Sequence, residues 1–259
     1  MLLYEHPLSS YVQKVKIALR EKGLEFDRKL PEGFGTVNPG AEFAGSSVRL
    51  QVPSLIDGEA QVFDSTIIME YLEDKYPEPA LLPADPAARA EARMIEDLCD
   101  TVYEAINWGL GEVRFFRRAD GARAEEMRAN AARQTAELLD WLTEKLGDRT
   151  WFNGDTFGWA DIAVAPYVNR SFFYDIGTPE GAPLTLWRER LIERPSVKQT
   201  FAEFEEAAKG MMGAHERLAD PNFRREYRDF RLEWMVKSGG LDIVLDGMKK
   251  NNIRFSWPE

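Results

Sequence analysis

The chain is broken once by prolines, and that break decides its architecture. Pro77, Pro79, Pro83 and Pro86 fall close together. Each removes a backbone donor and holds the residue before it out of helix, so no regular element runs through the stretch. Before it, short apolar runs alternate with amphipathic segments. After it, the patterning is helical. The expectation is an α/β domain over residues 1–78, a linker over 79–86 and an all-helical domain over 87–222. At 259 residues the chain suits one or two domains and can bury a full core without staples.

The first half reads in the order β-α-β-loop-β-β-α. Leu2-Leu3-Tyr4 is a short apolar run closed by Pro7, as in a buried strand. Val12, Val15, Ile17, Ala18 and Leu19 repeat with helical spacing up to a stop at Gly23. Leu24 to Leu30 reads as a second strand, and 31–47 as loop. Asp57-Gly58 between two short apolar runs is a hairpin signal. Ser65 then opens a helix bearing Ile67, Ile68, Tyr71 and Leu72. In the second half, 87–116, 124–146 and the segment from Asp161 read as helices. The segment 167–183 looks broken, and 186–192 and 196–208 continue the helical pattern.

Residues 223–259 form an extension with a net charge of about +2 on a body of about −13. Tyr227, Phe230, Trp234, Leu241, Ile243, Val244, Leu245, Phe255 and Trp257 are among its large apolar groups. So many cannot stay in water as a disordered tail, so the extension is expected to fold onto the body or a partner subunit.

Composition removes several functional classes. The net charge of −11 opposes phosphate backbones, which argues against a nucleic-acid partner. The longest apolar run, 162–168, falls far short of the roughly 20 residues of a membrane helix, so no membrane is expected. The N-terminal residues lack the features of a secretion signal, and Cys99 has no partner for a disulfide. A cytoplasmic protein is the expectation. His6 and His215 stand without ligand-spaced neighbours, so no metal is expected. Cys99 reads as a small buried apolar residue.

Two helix starts are furnished for anions. Ser9 precedes the first helix, and Asp64-Ser65 precedes the helix after the hairpin. Unpaired N–H groups and the helix dipole favour negative charge there. A serine at such a place is ordinarily just a cap. Between them, Pro53 at the head of a strand is a candidate for a cis bond that exposes the Val52 backbone.

The order and spacing of these three elements resemble the glutathione S-transferase superfamily. The resemblance runs through residues 9–23, Gln51-Val52-Pro53 and 64–72. It continues in the helical half with 153–163 and Arg194-Pro195-Ser196-Val197, and covers residues 1 to about 208. It implies a thioredoxin-like N-terminal domain, an all-α C-terminal domain and glutathione as co-substrate. Ser9, or its neighbour Ser10, would donate to the glutathione sulfur. Val52 beside Pro53 would pair with the cysteinyl unit, Gln51 would hold the glycyl end, and Asp64 and Ser65 the γ-glutamyl end. Tyr11, Tyr103, Asn107 and Trp108 would line the site of a small hydrophobic electrophile. The family's dimer implies a homodimer or a heterodimer with a paralogue. Gly158 stands where the family usually has a Ser or Thr cap before Asp161. The resemblance implies conjugation, β-aryl ether cleavage or dehalogenation. A non-catalytic binding protein of the same fold, with the extension docked on a partner, is the alternative.

Overall fold

A computed structural model of the chain describes residues 1–253. Phe255 and Trp257 of the extension lie outside the described residues. The N-terminal half contains β1 (Leu2–Tyr4), α1 (Ser10–Glu21), β2 (Asp27–Lys29), α2 (Ala41–Ser46), β3 (Ser54–Asp57), β4 (Ala60–Phe63) and α3 (Ser65–Lys75). The sheet order is β2-β1-β3-β4, with β1 parallel to β2 and antiparallel to β3, and β3 antiparallel to β4. This is a thioredoxin-like arrangement. The second strand is shorter than its apolar run predicts, and the segment read as loop contains the single-turn helix α2.

Register fixes where the functional loops emerge. Tyr4 pairs with Ser54, and Ser54 pairs with Phe63. The end of β1, the start of β3 and the end of β4 therefore share one edge of the sheet. The loops carrying Ser9, Val52-Pro53 and Asp64-Ser65 all leave from that edge.

The helical half contains α4 (Pro86–Leu98), α5 (Glu104–Arg114), α6 (Gly121–Leu146), α7 (Trp159–Phe173), α8 (Pro183–Ile192) and α9 (Pro195–Gly210). The long helix expected over 87–116 is divided by a π-helical turn, Cys99–Tyr103. The segment expected to break at Tyr167 instead continues as α7 to Phe173, with Pro166 inside it. Every residue from Trp159 to Ser171 is buried, so α7 lacks the polar face whose spacing would have identified it as helix. A 3-10 segment, Met211–Ala219, follows α9, and α10 (Phe230–Lys237) and α11 (Leu241–Lys249) belong to the extension. No helix among the described residues is long and apolar enough to cross a membrane.

One apolar core spans both halves, from Leu3, Val15 and Leu55 to Trp159 and Trp187. Each large side chain buried there contributes roughly 1.5–3 kcal/mol. The halves are also joined by buried lysines on α1. Lys14 is fully buried and donates to Glu96 at 2.5 Å and to Asp100 at 2.6 Å. Lys16, also fully buried, pairs with Glu5 at 2.6 Å and with Glu203. The π-helical turn gives Asp100 a double role in this seam. Its carboxylate also accepts from the Tyr167 hydroxyl at 2.6 Å, and its carbonyl accepts from Tyr11 at 2.6 Å.

Asp161 secures the start of α7 as a buried hub. Its carboxylate accepts from the N–H groups of Phe152 (2.8 Å), Asn153 (3.3 Å) and Gly158 (3.1 Å) and from the Trp187 indole (2.8 Å). Glycine at 158 has a steric cause. A Cβ there would lie 1.9 Å from the Asn153 amide nitrogen and 2.4 Å from the Leu81 carbonyl oxygen. Those two groups are themselves bonded at 2.8 Å. A Ser or Thr cap has no room.

Candidate functional site

Ser9 is the N-cap of α1. Its hydroxyl oxygen accepts from Val12 N at 3.4 Å, which leaves the O–H hydrogen free to donate outward. The approach to it is shaped by His6, whose Nδ1 accepts from Leu8 N at 3.3 Å. Burial, and then Arg217, Arg170 and Arg225, push the His6 pKa down to about 4, so the ring is a neutral acceptor at pH 7.

The Val52–Pro53 bond is cis, and both residues are buried. Asp64 caps α3 by accepting from Thr66 N (3.1 Å) and Ile67 N (3.4 Å). It does so at φ +76°, a left-handed value that a non-glycine residue adopts at a cost on the order of 1 kcal/mol or more. Such strain gathers at ligand clamps, and here it presents Ser65 at the first turn of α3. The other Asp64 oxygen accepts from Arg49 at 3.1 Å.

Three residues expected in the site sit beneath it. Ser10 is fully buried beside the buried carboxylate of Glu104, which pairs with Arg170 at 3.5 Å. Tyr103 is fully buried and stacks on Tyr167, its hydroxyl 2.7 Å from Ser171 Oγ. Asn107 is fully buried and donates to the Tyr167 carbonyl at 3.1 Å. Both face α7, Tyr103 from the end of the π-helical turn and Asn107 from the first turn of α5. Tyr11 and Trp108 remain at the cleft, half-buried. Burial raises the Tyr11 phenol pKa, so it stays protonated, and its donation to Asp100 is already committed.

A strap from the extension, residues 222–228, crosses the cleft. On the N-terminal domain, Val37 N donates to Asn222 O at 3.1 Å and Arg224 N to Gly35 O at 2.9 Å. Gly35, at φ +75°, lets this happen: a Cβ there would come within 3.2 Å of the Phe223 ring. On the helical domain the anchor is Glu112, a buried carboxylate of α5. It accepts from Arg225 Nε at 2.7 Å and Tyr227 OH at 3.0 Å, with Arg118 at 3.4 Å. Arg225 lies 3.9 Å over the Phe116 ring, and Tyr227 meets the Trp108 ring edge-on at 4.6 Å. Phe223 stacks on Phe116 at 6.0 Å and joins an aromatic cluster with Phe115, Phe173 and Tyr174. Glu112, Phe115 and Phe116 were expected among the residues that the first long helix of the helical half offers to the electrophile site; the role of Glu112 as anchor of the extension was not expected, since an acid on an amphipathic helix ordinarily faces water. The available signal was the alternation of arginine with aromatic residues over 223–234.

The strap also reaches Gln51. The Gln51 amide nitrogen donates to Glu226, and its oxygen accepts from Arg228 at 2.6 Å. The Arg228 guanidinium lies 4.9 Å over the Tyr11 ring, and Arg49 lies 5.6 Å over Phe230.

Both halves of the chain are matched by known proteins. Residues 3–80 match the family described as glutathione S-transferase, N-terminal domain, and residues 98–195 its C-terminal domain. Glutathione S-transferase U28 of Arabidopsis thaliana is 31% identical over 205 residues, covering 76% of this chain and 86% of that protein. The stringent starvation protein A homolog of Coxiella burnetii is 28% identical over 207 residues, covering 79% and 93%. A rice glutathione S-transferase solved in complex with glutathione superposes with a TM-score of 0.65 at 27% identity, covering 81% of this chain and 95% of that one. The chain belongs to the glutathione S-transferase family.

Proposed function

We propose that the protein binds glutathione along the Ser9, Val52 and Ser65 edge and activates its thiol for attack on a hydrophobic, aromatic electrophile. The observation that carries this reading is the register Tyr4–Ser54–Phe63, which brings both helix starts and the cis proline to one end of the sheet. Ser65 and the α3 N-terminus would hold the γ-glutamyl carboxylate, Asp64 its ammonium group, the Val52 backbone the cysteinyl unit and Gln51 the glycyl end. We assign sulfur contact to Ser9 rather than Ser10, because Ser10 is fully buried. The Ser9 hydroxyl and the N-terminal N–H groups of α1 stabilise the thiolate over the thiol, and the proton leaves to solvent. Sulfur then bonds to the electrophilic carbon as halide, aryloxide or a related group departs with the bonding pair. Tyr11 and Trp108, half-buried at the cleft, support an aromatic substrate, whether for conjugation, ether cleavage or dehalogenation.

The reading includes a cytoplasmic dimer, either of two identical chains or with a paralogue. The dimer rests on family analogy. The cytoplasmic location rests on the single buried cysteine, Cys99. A second reading, a non-catalytic binding protein docked through its extension, is favoured by one observation. Trp234 of α10 and Ile243 of α11 are each more than 60% exposed.

Substitution of Ser9 separates the two. Ser9→Ala is expected to lower glutathione-dependent turnover of an activated aryl halide by about 100- to 1,000-fold, as for loss of one preorganised donor. A rate unchanged between pH 6 and 9 would remove Ser9 from the chemistry.

A further inference from the structure

The Gln51 side chain is held at both ends by the extension: Glu226 accepts from its amide nitrogen and Arg228 donates to its oxygen at 2.6 Å. On the reading that Gln51 holds the glycyl end of glutathione, both partners stand where a ligand carboxylate would arrive. A neutral amide alone is a weak carboxylate receptor, and a guanidinium beside it supplies the charge-assisted, forked contact that such a group needs. Four other arginines around the cleft are committed to acids. Arg49 is bound to Asp64, Arg225 and Arg118 to Glu112, and Arg170 to Glu104. Arg228 forms no ion pair with any carboxylate among the described residues. It donates to the Gln51 oxygen, and its flat face rests on Tyr11. Glu226, by contrast, presents a carboxylate to the Gln51 N–H, chemically what the end of a peptide would present.

We propose that the extension completes the glutathione site of this chain: Arg228 pairs with the glycyl carboxylate, and Glu226 occupies that carboxylate's place on Gln51 until glutathione displaces it. The strap is held at its Asn222 and Arg224 end by Gly35 and Val37 and on α5 by Glu112, so Arg228 needs only a side-chain adjustment to receive the ligand. The two residues act in opposite directions. Arg228 adds affinity for a carboxylate, and Glu226 competes with it.

The test is isothermal titration of the full chain with glutathione and with its glycyl ethyl ester, which lacks the charge. The wild type is expected to prefer glutathione by about 10-fold. R228Q should weaken glutathione by about 10-fold, leave the ester nearly unchanged and so abolish the preference. R228K, which keeps the charge without the fork, should retain part of it. E226A should tighten glutathione by about threefold. If R228Q weakens both ligands equally, or neither, or if E226A weakens glutathione, the proposal is overturned while the glutathione site stands. Absence of binding by either ligand to the wild type would overturn the site and this inference together.

Discussion

Glu112→Gln tests whether the strap is held as the structure implies. The Glu112 carboxylate is buried and takes both nearer Arg225 nitrogens, at 2.5 and 2.7 Å, and the Tyr227 hydroxyl at 3.0 Å. Hydrogen bonds to charged groups contribute roughly 1.5–3 kcal/mol each, but Arg225 is 20% exposed and regains water when released. A glutamine keeps one acceptor and loses the charge. The net loss is therefore about 2 kcal/mol, which corresponds to a rise of about 30-fold in the population of strap-open molecules. Two amides report it directly: Arg224 N, bonded to Gly35 O, and Val37 N, bonded to Asn222 O. Amide hydrogen exchange at both should accelerate by about 30-fold in E112Q, with α7 amides such as Ile162 unchanged. No acceleration at Arg224, or a uniform acceleration reaching α7, would refute the anchoring role.

Two further outcomes follow from single residues. Gly158→Ala places a Cβ against the Asn153 amide and the Leu81 carbonyl. It should cost about 2–3 kcal/mol and lower the melting temperature by roughly 5–10 °C in calorimetry; a shift within about 1 °C would contradict the packing argument. His6 is held neutral, with its pKa lowered from 6.5 to about 4 mainly by burial. The unfolded chain thus takes up this proton first as pH falls. Stability should decline between pH 6.5 and 4, by up to about 3 kcal/mol from this group, and be fully present above that window. His6→Asn, which keeps an acceptor for Leu8 N, should flatten that part of a urea-denaturation pH profile. An unchanged slope would show that His6 is not the group responsible.

Local chemistry made part of this molecule readable from its residues. The turn at Asp57-Gly58, the cap at Ser9, the cis bond at Val52–Pro53 and the hold of Asp161 on Gly158 each follow from a few adjacent residues. What stayed hidden depends on partners far along the chain. No residue adjacent to Lys14 and Lys16 on α1 marks them as buried, yet both are fully buried because acids from Glu5 to Glu203 meet them. Tyr103 and Asn107 were expected in the cleft by resemblance to the family, but Tyr103, at the end of the π-helical turn, and Asn107, one turn on, both face α7 and are fully buried. The continuation of α7 past Pro166 was concealed by its uniform burial. The extension was legible as something that must pack, from its aromatic content. Its course over Gln51 and Glu112 was not, since a loop glutamine and a helical glutamate give no sign of each other.

The strap also connects the two readings of function. With Phe223 stacked on Phe116 and Arg228 over Tyr11, the same segment that shapes the cleft carries α10 and α11 out to the surface.

The central claim is that the Ser9, Val52 and Ser65 edge is a glutathione site, and titration of glutathione into the purified full chain tests it most directly. Saturable binding in the micromolar to low-millimolar range is expected, lost in Ser65→Ala while the variant keeps its melting temperature. No heat on the order of 10 mM glutathione, at two temperatures so that a zero enthalpy does not mislead, would contradict it and leave the binding-protein reading in its place.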